Sequence, residues 1–595
     1  MPFGTDMTAD GVRFRLWAPL HDRVSLKLEG AGPLTMSAAP DGWHEISVPG
    51  AAAGTRYRFM LPDGMEVPDP ASRFQPDDVH GPSEVIDPRA YAWACADWAG
   101  RPWEDMVLYE LHVGAFTPEG TFRAAIERLD HLRDLGVTGI ELMPVADFPG
   151  ARNWGYDGVL PFAPDSSYGR PEDMKAFVDA AHARGISMLL DVVYNHFGPD
   201  GNYLPLYTPV FNAAHTTPWG AAVNFDGTGA SGIRNFVVEN AAYWIREFQL
   251  DGLRLDAVHA IADDSATHIL DDIAEAARAA GEGRPVHLIL ENEENEAARL
   301  DRDGAGRVRR FTAQWADDVH HVLHVAASGE SAGYYADYAG DTGLLARALA
   351  EGFAFQGEVM PYRGSARGEP SAHLPPSAFV SFIQNHDQVG NRAFGDRITA
   401  FAPASAVRAI AAIYLLAPQI PMLFMGEEWG AAQPFPFFCD FGSDLADAVR
   451  TGRRAEFARF PEFQDPTQRE RIPDPTALET FQSATLDWNE AAKGEHAQWH
   501  AWYRRVLALR HAEIIPLIAG IAGHSSRHQV LGDRAVRVVW RLADHRALTL
   551  VANLKAEPEP QAGLPQGRLI FLEGAREGAG LAPWSVAWIL TEEMD

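Results

Sequence analysis

The stretch Asp251-Gly-Leu-Arg-Leu-Asp256 decides how the rest of this 595-residue chain is read. It is a short apolar run with an arginine and a carboxylate at alternating positions near its end. In a buried strand, side chains two apart point the same way, so Arg254 and Asp256 are expected to emerge together where the strand runs out. A fixed cation beside a carboxylate keeps it ionised, as a nucleophile requires. An isolated Arg-x-Asp is more often a structural ion pair, because such networks perturb charges without doing chemistry. This one has companions.

Three further apolar runs stop in polar residues: Ile186-Ser-Met-Leu-Leu-Asp-Val-Val-Tyr-Asn-His196, His287-Leu-Ile-Leu-Glu291 and Phe379-Val-Ser-Phe-Ile-Gln-Asn-His-Asp387. When parallel strands each finish in polar residues at one end, those ends converge on a single site. Three carboxylates there, Asp256, Glu291 and Asp387, point to glycoside chemistry.

Outward from these runs, strand and helix alternate from Met106 onward, the mark of a parallel α/β architecture. Strands are predicted at 107–112, 137–142 and 186–191, then at the runs ending in Asp256 and Glu291, and at 311–313, 378–384 and 422–425. Eight strands close a barrel. Long insertions follow the second, third, sixth and eighth strands, on the side where barrel sites are built from loops. Residues 430–490 have no assignable pattern. Before the barrel, Val12, Phe14 and Leu16 alternate with Arg13 and Arg15, and Val24, Leu26 and Leu28 repeat the pattern, which predicts half-buried strands. After it, Val536, Val538 and Trp540, then Leu548, Leu550 and Ala552, do the same. The expected fold is therefore multidomain: an N-terminal β-sandwich over 1–90, a central (β/α)8 TIM barrel over 91–515, and a C-terminal antiparallel β domain over 516–595. The sandwich either touches substrate or braces the barrel.

Composition narrows the function. A formal net charge of −31 disfavours nucleic acid, whereas a neutral glucan is not repelled. The 16 Trp and 15 Tyr offer flat faces for sugar rings as well as core. Two cysteines, Cys95 and Cys439, are too few and too far apart for a disulfide framework or thiolate metal site. The start Met1-Pro-Phe-Gly-Thr-Asp lacks a basic patch and an apolar core, so no secretory signal is read and the expected location is cytoplasmic. The apolar stretch 409–425 is divided by Pro418 and Pro421 and reads as a buried helix followed by a strand, with no membrane partner expected.

The segments Asp191-Val-Val-Tyr-Asn-His196, Gly252-Leu-Arg-Leu-Asp256, Glu291 and Asn385-His-Asp387 resemble, in order and at matching spacing, the four conserved regions of the α-amylase family of glycoside hydrolases. The resemblance implies Asp256 as nucleophile, Glu291 as general acid/base and Asp387 as the carboxylate that fixes the distorted sugar. It implies that His196 and His386 hold sugar hydroxyls and that Tyr156, in Asn153-Trp-Gly-Tyr156, is the platform beneath the same sugar. Repulsion from two neighbouring anions is expected to raise the Glu291 pKa while Arg254 holds Asp256 ionised. Asn195 sits where many members of the family bind calcium, but no clustered oxygen-ligand loop accompanies it, so no metal or other cofactor is expected.

The family often has a lysine and a histidine just after the nucleophile; here those positions are His259 and Ala260. Tyr109-Glu-Leu-His-Val-Gly-Ala-Phe-Thr-Pro-Glu-Gly-Thr121, Glu141-Leu-Met-Pro-Val-Ala-Asp-Phe148, Gln314-Trp-Ala-Asp-Asp-Val-His-His321 and Gln384-Asn-His-Asp-Gln-Val-Gly-Asn-Arg392 resemble the branch of the family that acts on malto-oligosyl trehalose. That implies hydrolysis of the α-1,4 bond next to a terminal trehalose, and functional pairing with a synthase that makes the substrate. His259, Trp315, Asp317 and Glu427 are the expected leaving-side contacts. A glucan branching enzyme and a non-catalytic glucan-binding protein on the same scaffold stand as alternatives; the intact carboxylate trio with Arg254 argues against the latter.

Overall fold

The computed structural model describes residues 2–458, 460 and 463–592. Eight parallel strands form a closed barrel. They are β1 (Leu108–Leu111), β2 (Gly139–Leu142), β3 (Ser187–Val192), β4 (Gly252–Leu255), β5 (His287–Leu290), β6 (Ala313–Trp315), β7 (Phe379–Ser381) and β8 (Ile420–Phe424). Every residue of these strands is buried, as expected for strands packed on both faces. Leu108, Leu189, Ile289, Val380, Ile420 and Met422 belong to one apolar cluster that fills the barrel's lower interior. The alternation that sends Leu189 inward also sends Asp191 inward, one step nearer the C-terminal end. Strand register sets Glu110 beside Glu141 and Asp191 beside Arg254.

The elements depart from expectation in two informative places. The sixth strand is shifted by two residues, from 311–313 to 313–315: Thr312 N–H bonds Leu288 O, and the first residue paired with β5 is Ala313, opposite Ile289. The seventh strand stops at Ser381. Asn385 accepts from Gln388 N–H and caps the short helix His386–Gly390, which carries His386 and Asp387 over the barrel mouth.

Two antiparallel sheets precede the barrel, one of four strands and one of five. Trp17 lies so close to Gly232 that a Cβ there would stand 2.2 Å from the indole. Gly232 belongs to the helix Ala230–Glu247 that feeds β4, so the N-terminal sheets brace the element that positions the strand ending at Asp256. A five-stranded antiparallel sheet follows the barrel, and Trp588 donates to Ala412 O in the buried helix Ala404–Leu416. The barrel and its flanking antiparallel sheets agree with the fold class expected from the sequence. The apolar stretch 409–425 is the end of that helix followed by β8, and among the described residues no helix is long and apolar enough to cross a membrane. The unassigned stretch 430–490 contains helices Ser443–Phe457, Pro466–Arg469 and Leu478–Ala484.

Candidate active site

At the C-terminal mouth of the barrel the organising group is Arg254, whose side chain is wholly buried. Its Nη1 donates to Asp256 Oδ1 at 2.9 Å and to Asp191 Oδ2 at 2.5 Å, while Nη2 donates to Glu291 Oε2 at 2.8 Å. The guanidinium lies over Trp315, 4.0 Å from the ring centre. A rigid planar fork that contacts three carboxylates and an aromatic face has little freedom to move. Asp256 is held a second time, by Asn195 Nδ2 at 3.0 Å, and Glu291 by Ala257 N–H at 2.8 Å. The residue after Asp256, Ala257, takes a left-handed φ of 40° that turns this N–H toward Glu291.

A second chain of contacts leads to Asp387. His386 Nδ1 donates to Glu110 Oε1 at 2.5 Å, and its Nε2 lies 2.8 Å from the Tyr156 hydroxyl and 3.5 Å from Asp387 Oδ1. Tyr156 donates to Asp191 Oδ2 at 2.6 Å and stacks on His386 with ring centres 5.1 Å apart. Burial opposes charge on His386, but the Asp387 and Glu110 carboxylates outweigh it and raise its pKa to about 9. His196 faces the same cleft with Nδ1 bonded to Asn195 Oδ1 at 2.7 Å and Nε2 to Tyr156 O at 2.9 Å. Asn195 thus links His196 to Asp256.

The charge distribution differs from the sequence expectation. Burial works to raise Glu291, but Arg254 and the Ala257 N–H outweigh it and hold the carboxyl below its ordinary range. Asp256 is pushed upward by burial, against Arg254, and by the charge of Glu291 itself. Two carboxyls gripped by one guanidinium titrate as a pair.

These residues open onto a cleft of about 850 Å³ lined by Tyr156, His196, Asp256, His259, Glu291, Asp317, His386 and Asp387. Asp317 has its pKa raised to about 8 by burial and by the charge of Glu291, with Arg367 opposing. His259 accepts from Glu293 N–H through Nδ1 at 3.2 Å. Two expected cleft residues lie elsewhere. Trp315 is the last residue of β6, 1% exposed, and forms the floor beneath Arg254. Glu427 is 3% exposed behind β8, where Tyr414 at 2.5 Å, Tyr503 at 3.0 Å and Gln384 at 3.3 Å donate to it. Burial raises its pKa to about 7. Both expectations failed because adjacency to a strand end does not say which way a side chain turns.

The cleft also holds residues the sequence reading missed. Trp219, at the tip of the hairpin Phe211–Val223, is 51% exposed and stacks on His196 with ring centres 5.0 Å apart. Tyr362 and Arg363, in the turn between two short strands at 359–360 and 365–366, form another wall, with Arg363 bonded to Glu294. Phe437 and Arg453 come from the stretch that had no assignable pattern. The only signal for Trp219 was an aromatic inside a long polar insertion, and for Phe437 its place in the tandem aromatics 435–438; none marked the others.

The chain matches the model "Alpha amylase, catalytic domain" over residues 71–205 and a domain of unknown function, DUF3459, over 523–588. It is 42% identical over 554 residues to the malto-oligosyltrehalose trehalohydrolase of Mycobacterium tuberculosis (strain ATCC 25618 / H37Rv), covering 92% of this chain and 93% of that one. A crystal structure of an alpha amylase candidate from Salmonella typhimurium is 47% identical, covers 99% of both chains and superposes with a TM-score of 0.94. The 1,4-alpha-glucan branching enzyme GlgB of Corynebacterium jeikeium is 33% identical over 278 residues, covering 43% of this chain and 39% of that one.

Proposed function

Because the chain belongs to the malto-oligosyltrehalose trehalohydrolase family, we propose that it hydrolyses the α-1,4-glucosidic bond adjacent to the terminal trehalose of malto-oligosyl trehalose. The products are trehalose and a malto-oligosaccharide. The observation that carries the mechanism is the single guanidinium of Arg254 bonded to both Asp256 and Glu291, at 2.9 and 2.8 Å. One planar group reaching both carboxyls keeps them close, which favours the ~5–5.5 Å separation of retaining enzymes over the wider inverting arrangement.

In this reading Asp256 attacks the anomeric carbon while Glu291 delivers its proton to the leaving oxygen of trehalose. The bond to the leaving oxygen breaks and a glycosyl ester to Asp256 forms. Water then gives its proton to Glu291 and displaces the ester. In the unliganded cage Arg254 and the Ala257 N–H hold the Glu291 carboxyl below its ordinary range, so substrate has a second task. A glycosidic oxygen entering beside Glu291 draws that carboxyl from Arg254 and the Ala257 N–H, which raises its pKa, and frees the guanidinium to hold Asp256 as the anion. Asp387, beside a cationic His386, is assigned to the sugar hydroxyls, with Tyr156 beneath the ring and His196 at its edge. Asp317 and His259 are assigned to the leaving side, where Asp317, neutral near pH 7, donates a hydrogen bond. The sequence reading supports a cytoplasmic location and an upstream synthase that caps glucans with trehalose, and free Cys95 and Cys439 fit a reducing compartment.

The test is product analysis with maltotriosyl trehalose, using maltopentaose for comparison. Trehalose plus maltotriose, with slow attack on maltopentaose, is the expected result; efficient attack on maltopentaose without trehalose release overturns the leaving-side assignment. The partial likeness to a branching enzyme favours one second reading, transfer to another glucan. A shifted iodine stain of amylose with little new reducing sugar would establish it.

A further inference from the structure

Glu141 is the buried acid that the mechanism leaves unused. It lies on β2 inside the barrel, 1% exposed, and neither carboxyl oxygen has a hydrogen-bond partner among the described residues. The other acids of the cage all receive donors. Glu110 accepts from His386 N–H at 2.9 Å and from His386 Nδ1 at 2.5 Å, so both its oxygens are engaged. Asp191 Oδ2 accepts from Arg254 and Tyr156, but Asp191 Oδ1 is buried and has no donor among the described residues.

Glu141 pairs with Glu110 on β1 and with Leu189 on β3, so Asp191, two residues further along β3, and its β4 partner Arg254 share the same inward face, and the charges of Glu110, Arg254, Asp191 and His386 act on Glu141. Two cations, Arg254 and His386, already serve the carboxyls of Glu110, Asp191, Asp256, Glu291 and Asp387. A sixth anion, desolvated and without a donor, is the least stable ionisation in the cage. Burial and the charge of Glu110 accordingly move its pKa well above the ordinary carboxylate range. A neutral carboxyl, by contrast, supplies one O–H, and Asp191 Oδ1 is the acceptor left over.

We propose that Glu141 is a protonated carboxylic acid in the working enzyme and acts as a positioning residue, donating its O–H to Asp191. The proton stays on Glu141. With both oxygens satisfied, Asp191 keeps its charge and orientation toward Arg254, and Arg254 in turn aligns Asp256 with Glu291. Glu141 touches no reacting atom. Its effect passes through two carboxylate–guanidinium contacts.

The inference rests on Asp256 and Glu291 being the reacting pair, so the experiment has one arm independent of turnover. Infrared spectra of the unliganded protein at pH 7 are compared for the wild type and Glu141→Gln. The difference is expected to show loss of a protonated carboxyl C=O band, and its absence overturns the proposal whatever the substrate is. The second arm measures kcat, KM and pH profiles on maltotriosyl trehalose. Glu141→Gln, which keeps a neutral donor, should remain within about threefold of wild type, whereas Glu141→Leu should lose about tenfold in kcat with little change in KM. The acid limb of Glu141→Leu should move to higher pH, because Asp191 without its donor is protonated more easily. Equal damage in the two variants would mean that an ionised carboxylate is needed, and would overturn the proposal. If Glu141→Leu does not fold, the infrared difference and Glu141→Gln still decide.

Discussion

Replacing Arg254 by lysine is the sharpest test of the cage. The substitution keeps the charge and removes the fork. Arginine here uses separate nitrogens for Asp256 and Glu291, and stacks on Trp315 at 4.0 Å. A lysine ammonium is a point donor with no planar face, so it can grip one of these carboxylates closely and must loosen the other. Hydrogen bonds to charged groups contribute about 1.5–3 kcal/mol each. Loss of one arm should therefore lower kcat/KM on maltotriosyl trehalose by ~10- to 100-fold. The sign of the pH effect follows from the same geometry. Arg254 pulls the Asp256 pKa down against burial, so weakening that contact raises it, and the acid limb of the rate profile should move to higher pH. Initial rates by chromatography between pH 4 and 8, with thermal melts to confirm folding, make the measurement. A folded Arg254→Lys enzyme within about twofold of wild type and with an unmoved acid limb would refute the shared-guanidinium argument.

Four further outcomes are expected. Glu291→Gln should slow maltotriosyl trehalose severely but an α-glucosyl fluoride much less, because fluoride departs without a proton; equal loss on both substrates would remove Glu291 from the acid role. Asp317→Asn mimics the neutral acid, so activity below pH 7 should fall less than about threefold, and any activity change in the wild type near pH 8 should vanish. Glu427→Gln should leave KM unchanged and act on stability. Its folded pKa of about 7 exceeds the ordinary value of 4.5, so ionisation costs wild-type stability as pH rises between those values, by about 3 kcal/mol in all. The melting temperature of the variant relative to wild type should therefore climb from pH 5 to pH 8. Trp219→Ala, at an exposed stacking position, should raise KM about three- to tenfold with little change in melting temperature, whereas a large loss of stability would make it a packing residue.

Much of the site was legible because its information is local. Arg254 and Asp256 are two apart on one strand, and that spacing alone puts both on one face. Glu291 and Asp387 stand after apolar runs whose other ends are equally clear. The apolar stretch around Pro418 and Pro421 likewise declared a helix and a strand. The legible part ended where a side chain's direction depended on distant chain. Trp315 and Asp317 are two apart beside the same strand end, yet Trp315 is the floor under Arg254 and Asp317 lines the cleft. Glu427, three residues after β8, turned behind the barrel toward Tyr414 and Tyr503.

The sequence by itself determined the barrel, the three carboxylates and the arginine that organises them, because strand periodicity and motif order survive without knowledge of packing. Tertiary structure decided the rest. That Arg254 holds Glu291 as firmly as Asp256 follows from β4 lying beside β5 and from the φ of Ala257, and it lowers the Glu291 pKa where nearby anions alone implied a rise. That Trp219, Tyr362 and Phe437 meet at one cleft depends on loops from three insertions closing over the barrel mouth. And that Glu141 lacks a donor becomes visible only when the inward faces of β1 to β4 are brought together, since hydrogen-bond satisfaction belongs to the packed layer and not to any one strand.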